Sequence, residues 1–409
     1  MIGIPQMKSV RSTDTGKTAA LICAGVFIAT FVVYYLMQEG PATPYDNFVR
    51  LADAFLHGRL YLLSNVSHLE LVPLDGRYYV VPPPLPAIII MPVVAIFGLS
   101  TNQTLISIVL GSVNVVLAYL VARELTGKRS IQLCATAMFG FGTIHWWVAS
   151  SGGVWMFSHT VSLTFLFIAV LLTLRNAPPL ASGLTLGASY WARLPTILSF
   201  PFFLIMYMDR WYRPVPGKNL LGRINLPPLI WLSLGAGIFV LLNTGYNYLR
   251  FGSPFDLSYY LIPGILDEIW FQKGIFDITY IPRNLKVIFA GLPRFIDGFP
   301  YVTPSWSGMA IWITTPAFVY AFFAGRSKLM TACWASIALI AFVNFCHGTW
   351  GFAQFGYRFA LDFYPFLFIL TIKGIGDEIK WHHITLILLG IAVNLWGVLW
   401  INKFGWVGY

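Results

Sequence analysis

Long apolar runs separated by short polar breaks organise this chain, and most have the length of a bilayer-crossing helix rather than of a strand. Runs of about 15 to 22 residues fall near 19–37, 103–122, 131–149, 155–174, 181–192, 196–209, 227–246, 309–325, 329–346, 359–373 and 383–402, the pair at 181–209 being shorter than a comfortable crossing. The pattern predicts an all-α polytopic membrane protein of about eleven transmembrane helices, forming a single membrane domain over 1–409. The first run lacks a clear small-residue cleavage site and is expected to be a retained helix.

The run "PPPLPAIIIMPVVAIFGL" at 82–99 poses a choice. Counted as a crossing, it sends Arg123, Lys128 and Arg129 outside. Read as an interfacial or half-inserted element, it leaves them inside with Lys8, Arg11, Lys17, Arg175, Arg210, Arg213, Lys218, Arg223, Arg326, Lys328, Lys373 and Lys380, the distribution expected of cytoplasmic loops. The prolines also argue against a straight spanning helix. The expected topology therefore has the N-terminus in the cytoplasm and two long polar segments outside, 38–102 and 247–308. Shorter outer turns fall at 150–154, around Arg193 and at 347–358.

Composition agrees: 57% of the 409 residues are hydrophobic and 10% charged. The net charge of +10 is scattered among loops, which points to cytoplasmic faces and anionic lipid rather than nucleic acid. The four cysteines sit in or at the ends of apolar runs, without metal-like spacing, and read as small core residues. No P-loop, HExxH, GxSxG or Rossmann fingerprint occurs.

Against this scarcity of charge, "PYDNFVRLADAFLHGRLYL" at 44–62 is unusually polar. Asp46, Arg50, Asp53 and His57 recur at helical spacing, opposite Phe48, Leu51, Ala52, Phe55 and Leu56. Such an amphipathic juxtamembrane helix is expected to lie on the bilayer, apolar face down. The plainer reading is that Arg50 pairs with Asp46 and Asp53 on a solvated face.

An aspartate soon after the first span, "LADAFLHGRL", and then "DGRYYVVPPPLPAIIIMPVVAIFG" resemble the first outer loop of GT-C glycosyltransferases, in the lineage of protein O-mannosyltransferases and bacterial lipid A aminoarabinose transferases. "VARELTGKRS", "GASYWARLPTILSFP", "YNYLRFGSPFDLSYY", "SGMAIWITTPAF" and "QFGYRFALDFYPFLFIL" extend the similarity in order along the chain. The resemblance implies a GT-C fold in a bacterial cytoplasmic membrane. It also implies inverting transfer of a sugar from a polyprenyl phosphate to a hydroxyl of a glycan, lipid or protein acceptor on the outer side.

The acidic catalytic position of the family maps onto Asp46, the expected general base. Asn47 follows it where many relatives have a second acid, which weakens the case for a metal; no cofactor is expected. Val80, Val81 and Pro82 stand where relatives often carry a basic residue or histidine, so the phosphate must be held from elsewhere.

The chemistry needs a base for the attacking hydroxyl and cations for the departing phosphate. Arg358 and Arg193, near the outer ends of apolar runs, are the strongest phosphate candidates, followed by Arg77 and Arg294 in outer loops. Gly351 and Gly356 allow close backbone approach near Arg358. Arg50 and Asp53 are candidates for orienting the base, and His159, Asp256 and Tyr79 for binding substrate. His159 also reads as a satisfied interfacial histidine, Asp256 as a loop cap, and the aromatics Tyr78, Tyr79, Trp155, Tyr259, Tyr260, Trp306 and Trp350 largely as an interface belt. Two other classes remain: a transporter or lipid flippase, from which midplane charges and repeated halves are expected, and a non-catalytic scaffold.

Overall fold

The computed structural model describes residues 16–40, 42–212 and 223–405. The elements run α1 (Gly16–Leu36), α2 (Asn47–Leu56), an antiparallel hairpin of β1 (Leu71–Leu74) and β2 (Arg77–Val80), α3 (Leu85–Phe97), α4 (Gln103–Leu125), α5 (Arg129–Phe141), α6 (His145–Ser151), α7 (Val154–Leu174) and α8 (Pro179–Ala192). They continue with α9 (Phe200–Met206), α10 (Met208–Trp211), α11 (Leu226–Phe251), α12 (Ile281–Ala290), a short hairpin of β3 (Arg294–Phe295) and β4 (Val302–Thr303), α13 (Ile311–Thr314), α14 (Lys328–Phe345), α15 (Tyr364–Ile375) and α16 (Trp381–Val398).

Among the described residues, α1, α4, α7, α11, α14 and α16 with its extension to Lys403 are long and apolar enough to cross a bilayer. On α1, α11 and α16, large apolar side chains such as Leu21, Leu241 and Leu388 face outward. A water-soluble protein would bury them; here they form the lipid-facing surface of an integral membrane protein. The centre is occupied by α15, whose Phe366, Phe368, Ile369 and Leu370 are completely buried, as expected of a helix apolar on every side.

The other five predicted spans are helical but short or interrupted. The run at 131–149 breaks between α5 and α6, and 181–192 forms the 14-residue α8. The runs at 196–209, 309–325 and 359–373 each begin or break in tight three-residue-per-turn helix, at Leu194–Ser199, Pro316–Phe323 and Arg358–Phe363. Pro195, Pro201, Pro316 and Pro365 lie at these junctions, where the lost N–H costs least.

The choice at 82–99 resolves into the 13-residue α3 with Pro92 inside it. At about 1.5 Å per residue it spans about 20 Å, short of a core about 30 Å thick. The expectation that α2 lays its apolar face on lipid is corrected. Phe48, Leu51 and Ala52 are fully buried in a cluster with Val80, Leu85, Ala87 and Ile90, and the Phe48 ring lies 5.9 Å from that of Phe157 on α7. These contacts fasten α2 to the bundle. Close packing is also visible between α8 and α11, where a Cβ on Gly235 would stand 2.6 Å from the Leu180 carbonyl oxygen. Small residues let these helices meet backbone to backbone.

The bundle has two chemically different ends. At one, Arg175 pairs with Glu124 at 2.7 Å, Lys328 with Asp209 at 2.7 Å, and Lys373 donates to the Leu125 carbonyl at 2.7 Å. These belong to the loops read as cytoplasmic; Lys8, Arg11, Arg213 and Lys218 of that set lie outside the described residues. At the opposite end the segments 38–102, 150–154, 247–308 and 347–358 converge with the α8 terminus.

Candidate active site

Two cavities open among these converging segments. The larger, about 790 Å³, has Glu39, Glu70 and Glu268 on its wall with Trp155, Trp270 and Trp306. The smaller, about 460 Å³, is walled by Val81, Pro82, Leu194, Ile197 and Phe276 and carries Arg193. Trp155, Tyr259, Thr349 and Arg358 line both, so the cavities share a wall. Both volumes fall in the usual range for small-molecule sites.

The larger cavity's near side is held by polar contacts to the first outer loop. Gln103, at the start of α4, donates to the carbonyls of Tyr45 at 3.2 Å and Gly152 at 2.8 Å. The Thr43 amide donates to Thr104 at 3.0 Å, and His68 contacts the Pro44 carbonyl at 2.9 Å. The far side is a ring cluster in which Trp306 stacks on Phe352 at 4.6 Å and Trp270 meets Trp350 edge-on at 4.9 Å. Glu70 precedes β1, partly buried, and accepts a long 3.4 Å hydrogen bond from the Trp155 indole. Burial pushes its carboxyl above the ordinary range, while the Trp155 bond and the Arg358 charge pull it down and Glu268 adds to the rise.

On the shared wall the tight turn that opens with Arg358 brings two guanidiniums to one aromatic ring, Arg193 at 5.4 Å and Arg358 at 5.6 Å from the Phe359 centroid. Their electrostatic situations differ. Arg193 makes a two-point contact with Asp362, Nε to Oδ1 at 3.2 Å and Nη2 to Oδ2 at 2.9 Å. Asp362, itself 2% exposed, also contacts His159 Nδ1 at 3.1 Å and accepts from Asn344 at 3.2 Å.

Arg358 is 9% exposed and donates Nη1 to the Phe352 carbonyl at 2.9 Å. Its Nε has no hydrogen-bond partner, and among the described residues no carboxylate lies within ion-pair distance of it. The backbone around it is fixed by Gln354, which accepts from the Arg358 amide at 3.0 Å and donates to the Ser307 and Trp350 carbonyls at 2.9 and 2.6 Å. Gly351 has φ +89°, and a Cβ there would lie 3.2 Å from the Arg358 guanidinium carbon. Only glycine combines that backbone with so close an approach. His347, on the wall of the smaller cavity, is kept neutral at pH 7: enclosure lowers its pKa to about 4, overcoming its Thr349 contact, and the nearby guanidiniums lower it further.

The other predicted residues are placed as follows. Asp46 opens α2 and accepts from Arg50 Nε at 2.7 Å, the solvated-face pairing. Its neighbours Pro44 and Tyr45 line the larger cavity, but Asp46 is not on its wall. Asp53 stands 3.7 Å from His57 instead of pairing with Arg50. Four candidates stand off both cavity walls. Arg77 is exposed on β2 over the Tyr61 ring, and Arg294 is exposed on β3; neither lines either cavity. Tyr79 is buried beneath the first hairpin against Phe251 and Tyr61. His159 is buried behind Arg193 on Asp362 rather than on a cavity wall. Asp256 does line the smaller cavity, while accepting from the amide and hydroxyl of Ser258 and lying 3.9 Å from Arg250.

Sequence reading missed Asp362, Glu70, Glu39 and Glu268. Asp362 carried a signal, an acid four residues after Arg358 inside an apolar run, where an ionisable side chain marks a site or its support. Glu70 had none, because its cavity is assembled from distant segments.

No protein-family model and no curated protein matches the sequence. Among solved structures, the chain superposes on ArnT from Cupriavidus metallidurans, the lipid A aminoarabinose transferase crystallised with undecaprenyl phosphate, with a TM-score of 0.52 and 14% identity. The match covers 93% of this chain and 64% of that one, so the chain spans less than two thirds of the transferase's length. An Archaeoglobus fulgidus oligosaccharyltransferase tethered to an acceptor peptide aligns over 93% of this chain and 55% of its own at 13% identity, with a TM-score of 0.47. The helix order, the membrane-facing surface and the first superposition together establish that this integral membrane protein has the GT-C fold.

Proposed function

We propose that the protein is a membrane glycosyltransferase that takes its sugar from a polyprenyl-phosphate donor and passes it to an acceptor hydroxyl on the outer face. The observation that carries this reading is Arg358: a buried guanidinium with no carboxylate within ion-pair distance among the described residues, on the wall between an apolar cavity and a polar, aromatic one. A buried charge left unpaired is costly, and an anion at that wall would remove the cost.

The smaller cavity suits the start of an isoprenoid tail, the shared wall the phosphate, and the larger cavity the sugar and its acceptor. Arg358 would take the phosphate charge as the bond breaks, and Arg193, oriented by Asp362, would add a second donor. Attack by the acceptor from the face opposite the phosphate inverts the anomeric centre. The basic end faces the cytoplasm in this scheme, and the cavities face outward. The chemistry is assigned to side chains alone, without a metal. The nucleophile's proton goes to a carboxylate. Asp46 is the sequence candidate for that role, and the cavity wall supplies others.

The test is binding of undecaprenyl phosphate to the protein in lipid nanodiscs, read by native mass spectrometry. Wild type is expected to bind it and Arg358→Ala to bind at least 100-fold more weakly, about 3 kcal/mol. Equal binding by both would refute the phosphate assignment. Accumulation of a solute in proteoliposomes without consumption of any lipid-linked sugar would instead identify a transporter.

A further inference from the structure

Resting on that reading, we infer that Glu70 is the general base of the transfer. Position singles it out. The transferred sugar must pass from phosphate to acceptor at the junction of the cavities, and that junction is formed by Trp155, Tyr259, Thr349 and Arg358. Glu70 lines the larger cavity and is hydrogen-bonded to one junction residue, Trp155, at 3.4 Å. It is also close enough to two others, Tyr259 and Arg358, for its charge to act on both. Glu39 and Glu268 line the same cavity but are exposed, and among the described residues neither makes a hydrogen bond or ion pair to a junction residue. Asp46 is engaged by Arg50 and lies off the wall.

The step balances with donor and acceptor alone. The acceptor oxygen bonds to the anomeric carbon as the bond from that carbon to the lipid phosphate oxygen breaks. The acceptor proton passes to the Glu70 carboxylate and then to water, and the lipid phosphate leaves with the electron pair, held by Arg358. The groups facing Glu70 set its proton affinity: burial raises it, the Trp155 indole and Arg358 lower it, and Glu268 raises it. Tyr259, whose own hydroxyl is held protonated by enclosure, adds no charge at neutral pH. Glu39 and Tyr45 line the same cavity, and Asp256, Arg193 and the neutral His347 lie beyond the shared wall. Glu70 is a base only when ionised, so turnover is expected to fall with acidification through a midpoint above the ordinary carboxylate range.

The experiment uses the full-length protein in nanodiscs with undecaprenyl-phosphate-linked radiolabelled glucose, galactose, mannose or N-acetylglucosamine. Membranes of the source organism lacking the gene supply the acceptor, and Glu70→Gln, Glu70→Asp and Asp46→Asn are compared. Glu70→Gln is expected to lower kcat by about 100-fold or more. Donor KM and undecaprenyl phosphate binding should change less than threefold, and the acid limb of the kcat–pH profile should disappear. Glu70→Asp should restore part of kcat and the limb. The melting temperature of Glu70→Gln should equal or exceed that of wild type, because a neutral amide is easier to bury; a merely structural Glu70 would lower it. Retention of kcat within twofold with the acid limb intact overturns the assignment, decisively if Asp46→Asn is the variant that loses activity. Failure of wild type to bind undecaprenyl phosphate or to transfer from any donor overturns the underlying reading and this inference together.

Discussion

Arg193 and Arg358 approach the same phenylalanine ring from neighbouring positions, yet one is neutralised and the other is not. Asp362 meets Arg193 at two points and is itself supported by His159 and Asn344, so that guanidinium is fixed in place and its charge matched. Arg358 is held by a carbonyl, by a backbone contact to Gln354 and by the Phe359 ring, and among the described residues no carboxylate stands within ion-pair distance of it. The lesson is that burial by itself does not mark a binding group. A buried charge with an ion-pair partner supports its surroundings, and one held in place without such a partner is where the proposed ligand would fit.

The same contrast separates the cavities. The smaller has largely apolar walls with both guanidiniums and Asp256, the larger has three carboxylates, Arg358 and most of the tryptophans, and on the proposed reading the bond to be broken lies at their boundary.

After removal of Arg358 itself, the sharpest way to break this contrast is Asp362→Ala. It strands Arg193 and is expected to destabilise the protein by about 3–5 kcal/mol, read as a loss of melting temperature in nanodiscs. The milder His159→Gln keeps a polar contact to Asp362. It should leave the fold intact while weakening undecaprenyl phosphate binding by severalfold, through a less firmly held Arg193. A smaller effect is expected from Gly351→Ala. The φ of +89° costs the new side chain about 1–2 kcal/mol, and its Cβ displaces the Arg358 guanidinium. Lipid-phosphate affinity should therefore fall about tenfold, as a binding titration would show. Least of all, Arg77→Ala and Arg294→Ala should alter stability by less than about 0.5 kcal/mol and leave binding unchanged, because both are exposed and off the cavity walls. A loss of binding in either would mean that the phosphate sits elsewhere.

Much of the architecture is legible in one dimension. Apolar run length requires helices and a bilayer, the basic loops distinguish one end from the other, and the order of the outer segments names the end at which they meet. Arg193 and Arg358 were equally visible, since a guanidinium at the end of an apolar run is conspicuous. What set them apart was a carboxylate 169 residues from Arg193 in sequence, which no local pattern encodes. The amphipathic stripe of α2 was read correctly as a stripe, but periodicity states only that one face is apolar. Whether lipid or protein covers it depends on α3 and α7, and here protein does.

By itself the sequence determined the membrane, the helices, the chemical inequality of the two ends and the presence of two arginines at the ends of apolar runs. These follow from local hydropathy and spacing, which act over a few turns of chain. The tertiary structure alone decided which charge is matched, which carboxylate reaches a cavity wall and which face of α2 is covered. Each of those is settled by distance between segments far apart in the chain, and an electrostatic interaction depends on that separation in space rather than on separation along the backbone.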